Sequence, residues 1–293
     1  MRAGDLRSIT DTRARNPGRI AELAAARRRP GSPLGGRELI VAADHPARGS
    51  LGAGADPMAM ADRADLLTRL CEALARPGVT GVLGTADILE DLLLLGALDH
   101  RSVFGSMNRG GLAGASFELD DRFTGYGVAS LARFGFEGGK MLLRVDLADD
   151  RTAPTLEACA RAVSDLAEAG LVAMVEPFLS GRAAGVLRND LSVEAATKAL
   201  TIAAGLGNTS AYTWLKVPVI GDGGDDMARV LGATTLPTLL LGGEVSADAE
   251  ATFARWDKAL RHPTVRGLVV GRSLLYPPDG DVAGAVDTAA GIL

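Results

Sequence analysis

Residues 139–176 read GKMLLRVDLADDRTAPTLEACARAVSDLAEAGLVAMVE, and this stretch decides the fold. Its first eight residues alternate: Met141, Leu143 and Val145 make one apolar set, while Lys140, Leu142, Arg144 and Asp146 fall on the other side. Successive side chains of a strand point to opposite faces, so the segment reads as a strand with one side packed under helices. Residues 155–169 then carry apolar positions at helical spacing. Residues 171–176 return to a strand whose outward set is Leu171, Ala173 and Val175. Strand, crossover helix and strand make the βαβ unit from which parallel sheets are built.

The same rhythm runs outward in both directions. Apolar runs at 38–44, 81–84, 102–106, 211–217, 236–241 and 267–270 complete eight candidate strands, with helix candidates at 57–74, 192–204 and 247–261. Eight such repeats predict an α/β fold, a single (β/α)8 TIM barrel, which takes about 250 residues. The open doubly wound sheet is disfavoured, because no Gly-x-Gly-x-x-Gly follows the first strand. The barrel is expected over 36–293. An arginine-rich helical arm over 1–35 precedes it, with a helix near residues 20–28 that ends at Pro30 and with Gly31-Ser32-Pro33 as linker. Arg27, Arg28 and Arg29 read as the solvated end of that helix, with a phosphate or nucleic-acid contact as the alternative.

The composition bounds the function. The 293 residues are 47% hydrophobic and 23% charged, with a formal net charge of −5, which fits a soluble globular protein and neither a disordered chain nor a typical nucleic-acid binder. The apolar run at 88–98 is broken by Glu90 and Asp91 and is too short to span a membrane. Asp5, Arg7 and Asp11 stand where a secretory peptide needs an apolar stretch. Cys71 and Cys159 have neither a disulfide framework nor metal-ligand spacing, so a cytoplasmic location is expected.

Arginine outnumbers lysine by 27 to 4, which singles out Lys140, Lys198, Lys216 and Lys258. Strand parity aims Asp44, Lys140, Arg144, Asp146, Glu176, Tyr212, Trp214 and Lys216 into the barrel. Buried charges are costly unless paired, so a mixed cluster is self-consistent either as a structural ion-pair network or as a reaction centre. A desolvated lysine beside a second cation loses its proton, and its amine can then attack a ketone to form a Schiff base. The resulting iminium draws electrons from the adjacent carbon–carbon bond. Lys216 suits the amine, Glu176 a proton carrier if its surroundings raise its pKa, and Lys140 the second cation or a proton relay. Gly242 and Gly243 end one strand and Gly271 with Arg272 the next. Loops after the last two barrel strands often hold phosphate on bare backbone N–H groups, and Arg272 adds a charged fork.

The motifs Trp214-Leu215-Lys216-Val217, Leu240-Leu241-Gly242-Gly243, Val270-Gly271-Arg272 and Val41-Ala42-Ala43-Asp44-His45 resemble the class I aldolases related to archaeal-type fructose-bisphosphate aldolase. The strand 139–146 and Val175-Glu176-Pro177-Phe178 are similar to tagatose-bisphosphate aldolase and its relatives. The pattern over residues 38–275 most resembles aldolase-like barrels found beside inositol catabolism genes in actinobacteria. That resemblance implies Lys216 as Schiff-base lysine, Glu176 as acid/base, Lys140 as a supporting cation and Asp44 at carbinolamine or substrate hydroxyls. Gly242, Gly243, Gly271 and Arg272 would hold phosphate.

It further implies a phosphorylated ketose or keto-acid as substrate, dihydroxyacetone phosphate as a product, no cofactor and a homo-oligomer. The segment 105–111 differs from the fructose-bisphosphate enzymes, and their proton-donating tyrosine has no obvious counterpart here. A deoxy keto-acid phosphate cleaved to dihydroxyacetone phosphate and malonate semialdehyde is therefore the sharper expectation. Asn108, Arg109 and Arg182 are candidates for the aldehyde half of the pocket, with structural capping as the alternative.

Three other readings stay open. A Schiff-base enzyme could catalyse transaldolase- or thiolase-type transfer. A metal-dependent aldolase would want clustered histidines, but His45, His100 and His262 are scattered, and Asp222, Asp225 and Asp226 read as a helix start. A non-catalytic sugar-phosphate sensor would not need both Lys216 and Glu176.

Overall fold

The structure, a computed structural model, describes residues 3–31 and 34–293. Its strands are β1 (Glu38–Ala43), β2 (Gly81–Gly84), β3 (Ser102–Ser106), β4 (Gly138–Val145), β5 (Val172–Ala183), β6 (Val186–Asn189), β7 (Thr213–Pro218), β8 (Thr238–Leu241) and β9 (Val265–Val270). All but β6 are parallel and close into a ring: β1 pairs with both β2 and β9, β4 with β5, and β5 with β7. The expected single (β/α)8 barrel is therefore what forms. β6 lies outside the ring as the return arm of an antiparallel hairpin with the end of β5.

Helices α1 (Ala3–Arg15) and α2 (Gly18–Ala26) precede the barrel. Each of β1 to β4 is followed in turn by α3 (Arg63–Leu74), α4 (Ala86–Leu94), α5 (Val128–Arg133) and α6 (Thr152–Glu168). The β5–β6 hairpin leads to α7 (Val193–Ala204), β7 to α8 (Asp225–Leu231), and β8 to α9 (Ala249–Leu260). After β9 come α10 (Arg272–Leu275) and α11 (Val282–Gly291). The helix expected from residue 57 starts at Arg63, because the Asp62 carboxylate accepts a hydrogen bond from the Asp65 N–H and caps it there. None of the described helices is long and apolar enough to cross a membrane.

Strand parity divides the core in two. Leu39, Val41, Ala43, Met141, Leu143, Val145, Leu215 and Val217 belong to the large cluster packed under the helices. Ile40, Ala42, Leu83, Phe104, Met174, Leu239 and Val269 fill the barrel interior, with Trp214 against them. Two residues depart from the expected inward set. Tyr212 precedes β7 and is 41% exposed. Asp146 has already left β4, and its carboxylate accepts the Ala148 N–H in the following turn.

The arm is bound to the barrel by charge as well as by apolar contact. Arg13 of α1 pairs with Glu90 and Asp91, both at 2.8 Å, so the two acids that interrupt the apolar run of α4 are docking points. Arg27 is not a solvated helix end. It is buried, donating to the carbonyls of Arg101 and Gly135 and pairing with Glu137, which also accepts Arg29 Nε at 3.0 Å and the Val103 N–H at 2.7 Å. Leu34 packs against the inner cluster. Of the expected linker, Ser32 and Pro33 lie outside the described residues.

Removing one partner of a buried pair strands the other charge. Glu137→Ala is expected to cost about 3–5 kcal/mol of unfolding free energy, read as a lowered denaturant midpoint. An unchanged midpoint would contradict the anchoring.

Candidate active site

Four inward side chains meet in the barrel interior: Asp44 just after β1, Lys140 of β4, Glu176 of β5 and Lys216 of β7. Glu176 pairs with both lysines: Lys216 Nζ lies 2.9 Å from Oε1, and Lys140 Nζ bonds Oε2. Lys140 also donates to Asp44 Oδ2 at 3.2 Å. Strand register accounts for the assembly, since Lys140 is paired with Met174 on β5, Glu176 lies two residues further along, and β7 brings Lys216 alongside. Asp44, Lys140 and Lys216 are almost fully buried.

Two further residues complete the network. Ser106, the last residue of β3, donates to Asp44 Oδ2 at 3.0 Å. Arg109 donates through Nε to Ser106 Oγ at 2.7 Å and pairs through Nη2 with Asp44. From the sequence Arg109 is open between substrate contact and capping, and nothing singles out Ser106 as a site residue. A serine at an inward strand end carries no charge to draw attention, and its partner lies across the barrel.

The electrostatics differ from the expected scheme. Burial pushes the Glu176 carboxyl up, but the ammonium groups of Lys140 and Lys216 outweigh it and hold the carboxyl well below the usual range. The condition set for Glu176 as a proton carrier, a raised pKa, is not met in this state, where it is a carboxylate. Burial lowers Lys140 well below the ordinary lysine value, with Arg109 and Lys216 adding to it against the pull of Glu176. Burial likewise brings Arg109 down to about 10. With every group ionised, Arg109, Lys140 and Lys216 would outnumber Asp44 and Glu176 by one charge. Loss of one lysine proton leaves a neutral cluster that contains a free amine.

His45 sits on the rim of this cluster. It leaves β1 in helical backbone geometry as the cap of a 3-10 turn (Pro46–Arg48). Its Nδ1 is 3.9 Å from Asp44 Oδ1. Burial together with Arg272, Lys216 and Lys140 lowers its pKa to about 3, so the imidazole is neutral. Gly271 runs close beneath: a Cβ there would collide with the Ala42 carbonyl and lie 3.2 Å from His45 Cε1. Arg272 is half-buried beside Gly271 and reaches the Gly243 carbonyl at 3.4 Å. Gly243 adopts φ +70°, a conformation that favours glycine. Gly242, Gly243, Gly271 and Arg272 thus come together at the ends of β8 and β9, next to His45.

Asn108, a candidate for the aldehyde half of the pocket with capping as the alternative, and the inward Arg144 are both occupied by the chain itself. The Asn108 amide donates to the Leu142 carbonyl at 2.5 Å and accepts the Leu142 N–H at 2.8 Å, so both its ends brace the loop against β4. Arg144 points inward but pairs with Glu118 at 2.6 Å and donates to its carbonyl at 2.7 Å. Arg48 bonds the Asn108 and Gly111 carbonyls and pairs with Asp121. Together these residues strap the loop 107–127 to the barrel. Arg182, on the hairpin, donates to the Ser116 carbonyl of the same loop at 2.9 Å.

Among the described residues no group of three or more His, Cys, Asp or Glu could hold a metal ion. Asp222 is paired with Lys258 at 2.8 Å, and Asp225 and Asp226 open α8.

This parallel barrel, with a lysine–carboxylate cluster in its interior, has the fold of the class I aldolases. A structure of an archaeal fructose-1,6-bisphosphate aldolase, with its catalytic lysine bound to the carbinolamine intermediate of the substrate, superposes with a TM-score of 0.66 at 18% identity, covering 93% of this chain and 98% of that one. Fructose-bisphosphate aldolase from Slackia heliotrinireducens gives a TM-score of 0.62 at 15% identity, with 99% and 92% covered. At these identities the likeness concerns the fold. Residues 36–290 match the Cgl0159-like family, and the chain belongs to that family. The crystal structure of Cgl0159 from Corynebacterium glutamicum is 53% identical, with a TM-score of 0.95 over 100% of this chain and 97% of that one. Among curated proteins none matches.

Proposed function

We propose that the protein is a class I aldolase that makes or breaks a carbon–carbon bond in a phosphorylated keto-acid through a lysine Schiff base. The observation that carries this reading is a single buried carboxylate, Glu176, shared by two lysines deep in the barrel mouth. The buried structural pairs elsewhere in the chain, Arg27–Glu137 and Arg48–Asp121, use arginine, whereas this cluster takes two of the four lysines.

In the proposed reaction the amine of Lys216 attacks the substrate ketone. As the lysine charge that holds the Glu176 carboxyl down is lost, burial raises it, and Glu176 accepts and returns the protons of carbinolamine formation and dehydration, with Lys140 as its second proton partner. The iminium nitrogen restores the positive charge that the free amine lacked, and Glu176 and Asp44 stabilise it. Electrons of the adjacent carbon–carbon bond then pass to the iminium, leaving an enamine and releasing the aldehyde. Gly242, Gly243, Gly271 and Arg272 would bind the phosphate through backbone N–H groups and the guanidinium.

The substrate proposed is 5-dehydro-2-deoxygluconate 6-phosphate, giving dihydroxyacetone phosphate and malonate semialdehyde. The surplus of buried cations suits an anionic substrate.

Incubating the protein with dihydroxyacetone phosphate and malonate semialdehyde, and following the joined product by mass spectrometry, tests this reading. A six-carbon keto-acid phosphate is expected. Condensation with glyceraldehyde 3-phosphate and not with the acid aldehyde would overturn the substrate, and no condensation with either would overturn the activity.

A further inference from the structure

Both oxygens of Glu176 are taken by lysine side chains, Oε1 by Lys216 Nζ and Oε2 by Lys140 Nζ. That carboxylate is placed to exchange protons with the amines. A second proton carrier is needed where the substrate's own hydroxyl and carbon react, and aldol cleavage moves one proton off the hydroxyl and one onto the carbon.

We propose that His45 is that catalytic residue, paired with Asp44 as a dyad at the mouth of β1; the proposal rests on the Schiff-base reading above. Asp44 is anchored through one oxygen only. Ser106, Lys140 and Arg109 all bind Oδ2, which leaves Oδ1 facing His45 Nδ1 at 3.9 Å. Nδ1 itself is buried and has no hydrogen-bond partner. A short closing movement makes the Nδ1–H to Asp44 hydrogen bond, and this fixes the tautomer whose Nε2 is the base. The imidazole packs on Gly271, the residue before Arg272, and feels the charges of Arg272, Lys216 and Lys140. In the unliganded protein burial and the surrounding cations keep the ring neutral. A phosphate dianion beside Arg272 offsets those cations and raises its basicity.

The step balances as follows. Nε2 takes the proton of the hydroxyl on the carbon that leaves, and the O–H pair becomes the aldehyde C=O. The pair of the breaking C–C bond becomes the enamine double bond, and the iminium nitrogen regains its lone pair. The imidazolium then gives its proton to the enamine carbon, which regenerates the iminium for hydrolysis.

His45→Gln, compared with wild type, separates the possibilities. Reductive trapping of dihydroxyacetone phosphate by borohydride is expected to persist in the variant. Exchange of the ketone's α-hydrogen with D2O and the turnover of cleavage are expected to fall about 10²–10⁴-fold, the range for a lost general base. Imidazole added to His45→Gly should restore part of the exchange, which a packing role would not. A variant that exchanges at the wild-type rate would overturn the role of His45 alone. A wild-type protein that is not trapped at all would overturn the Schiff-base reading, and this proposal with it.

Discussion

Lys216→Met is expected to lower turnover by on the order of 10⁴–10⁶-fold, the loss seen when a covalent nucleophile is removed, in protein that still folds. Methionine nearly matches the lysine stem in length and apolar packing. Glu176 keeps its bond to Lys140, so the remaining pair is still charge-matched. Lys140→Met should act differently. It removes the partner that links Glu176 to Asp44, slowing proton transfer by about 10²–10⁴-fold while leaving an amine able to form the adduct. Steady-state rates for the two variants, each checked by circular dichroism, decide the order. A larger loss in Lys140→Met than in Lys216→Met would exchange the two roles.

The second large effect is on stability. Glu176→Gln keeps the shape of the side chain but leaves Lys140 and Lys216 facing each other with no carboxylate between them. The expected loss is about 3–5 kcal/mol at neutral pH, the range for breaking a buried pair. Its pH dependence has a definite sign. The wild-type carboxyl is held below the ordinary 4.5, so its contribution is complete above pH 4.5 and is lost as pH falls through the folded value. On the alkaline side, unfolded Lys140 keeps its proton up to about 10.5, whereas the folded residue releases it earlier. The unfolded state therefore binds more protons, and stability at this site rises with pH towards 10.5. The gap between wild type and variant should be widest at neutral pH and narrow towards both extremes. Denaturant midpoints across pH measure it, and a gap that did not vary with pH would contradict the charge account.

Much of this was legible from alternation alone. The parity of β1, β4, β5 and β7 is set by which residues pack under helices, and that apolar set is written directly in the chain. Once the outward set is known, Asp44, Lys140, Glu176 and Lys216 must converge, because a barrel has one interior. What parity could not show was how the loops spend their side chains. Asn108 stands open between substrate contact and capping and Arg144 reads only as inward, because their partners, Leu142 and Glu118, are fixed by the path of the loop 107–127. Arg27 looked like one of three solvated arginines, and only the fold brings Glu137 to it from a distant part of the chain. Alternation assigns no role to His45, because it lies two residues beyond β1, where the chain turns into a 3-10 turn.

The pKa of Glu176 was not legible for a related reason. Burial alone raises a carboxyl, and the outcome depended on two lysines reaching it together, one at each oxygen.

The central claim is that Lys216 forms a covalent iminium with a phosphorylated ketone. Borohydride reduction of the protein with dihydroxyacetone phosphate, followed by peptide mass mapping, tests it most directly. The account predicts one reduced adduct, on the peptide that contains Lys216. An adduct on Lys140, or none in folded protein, would contradict it.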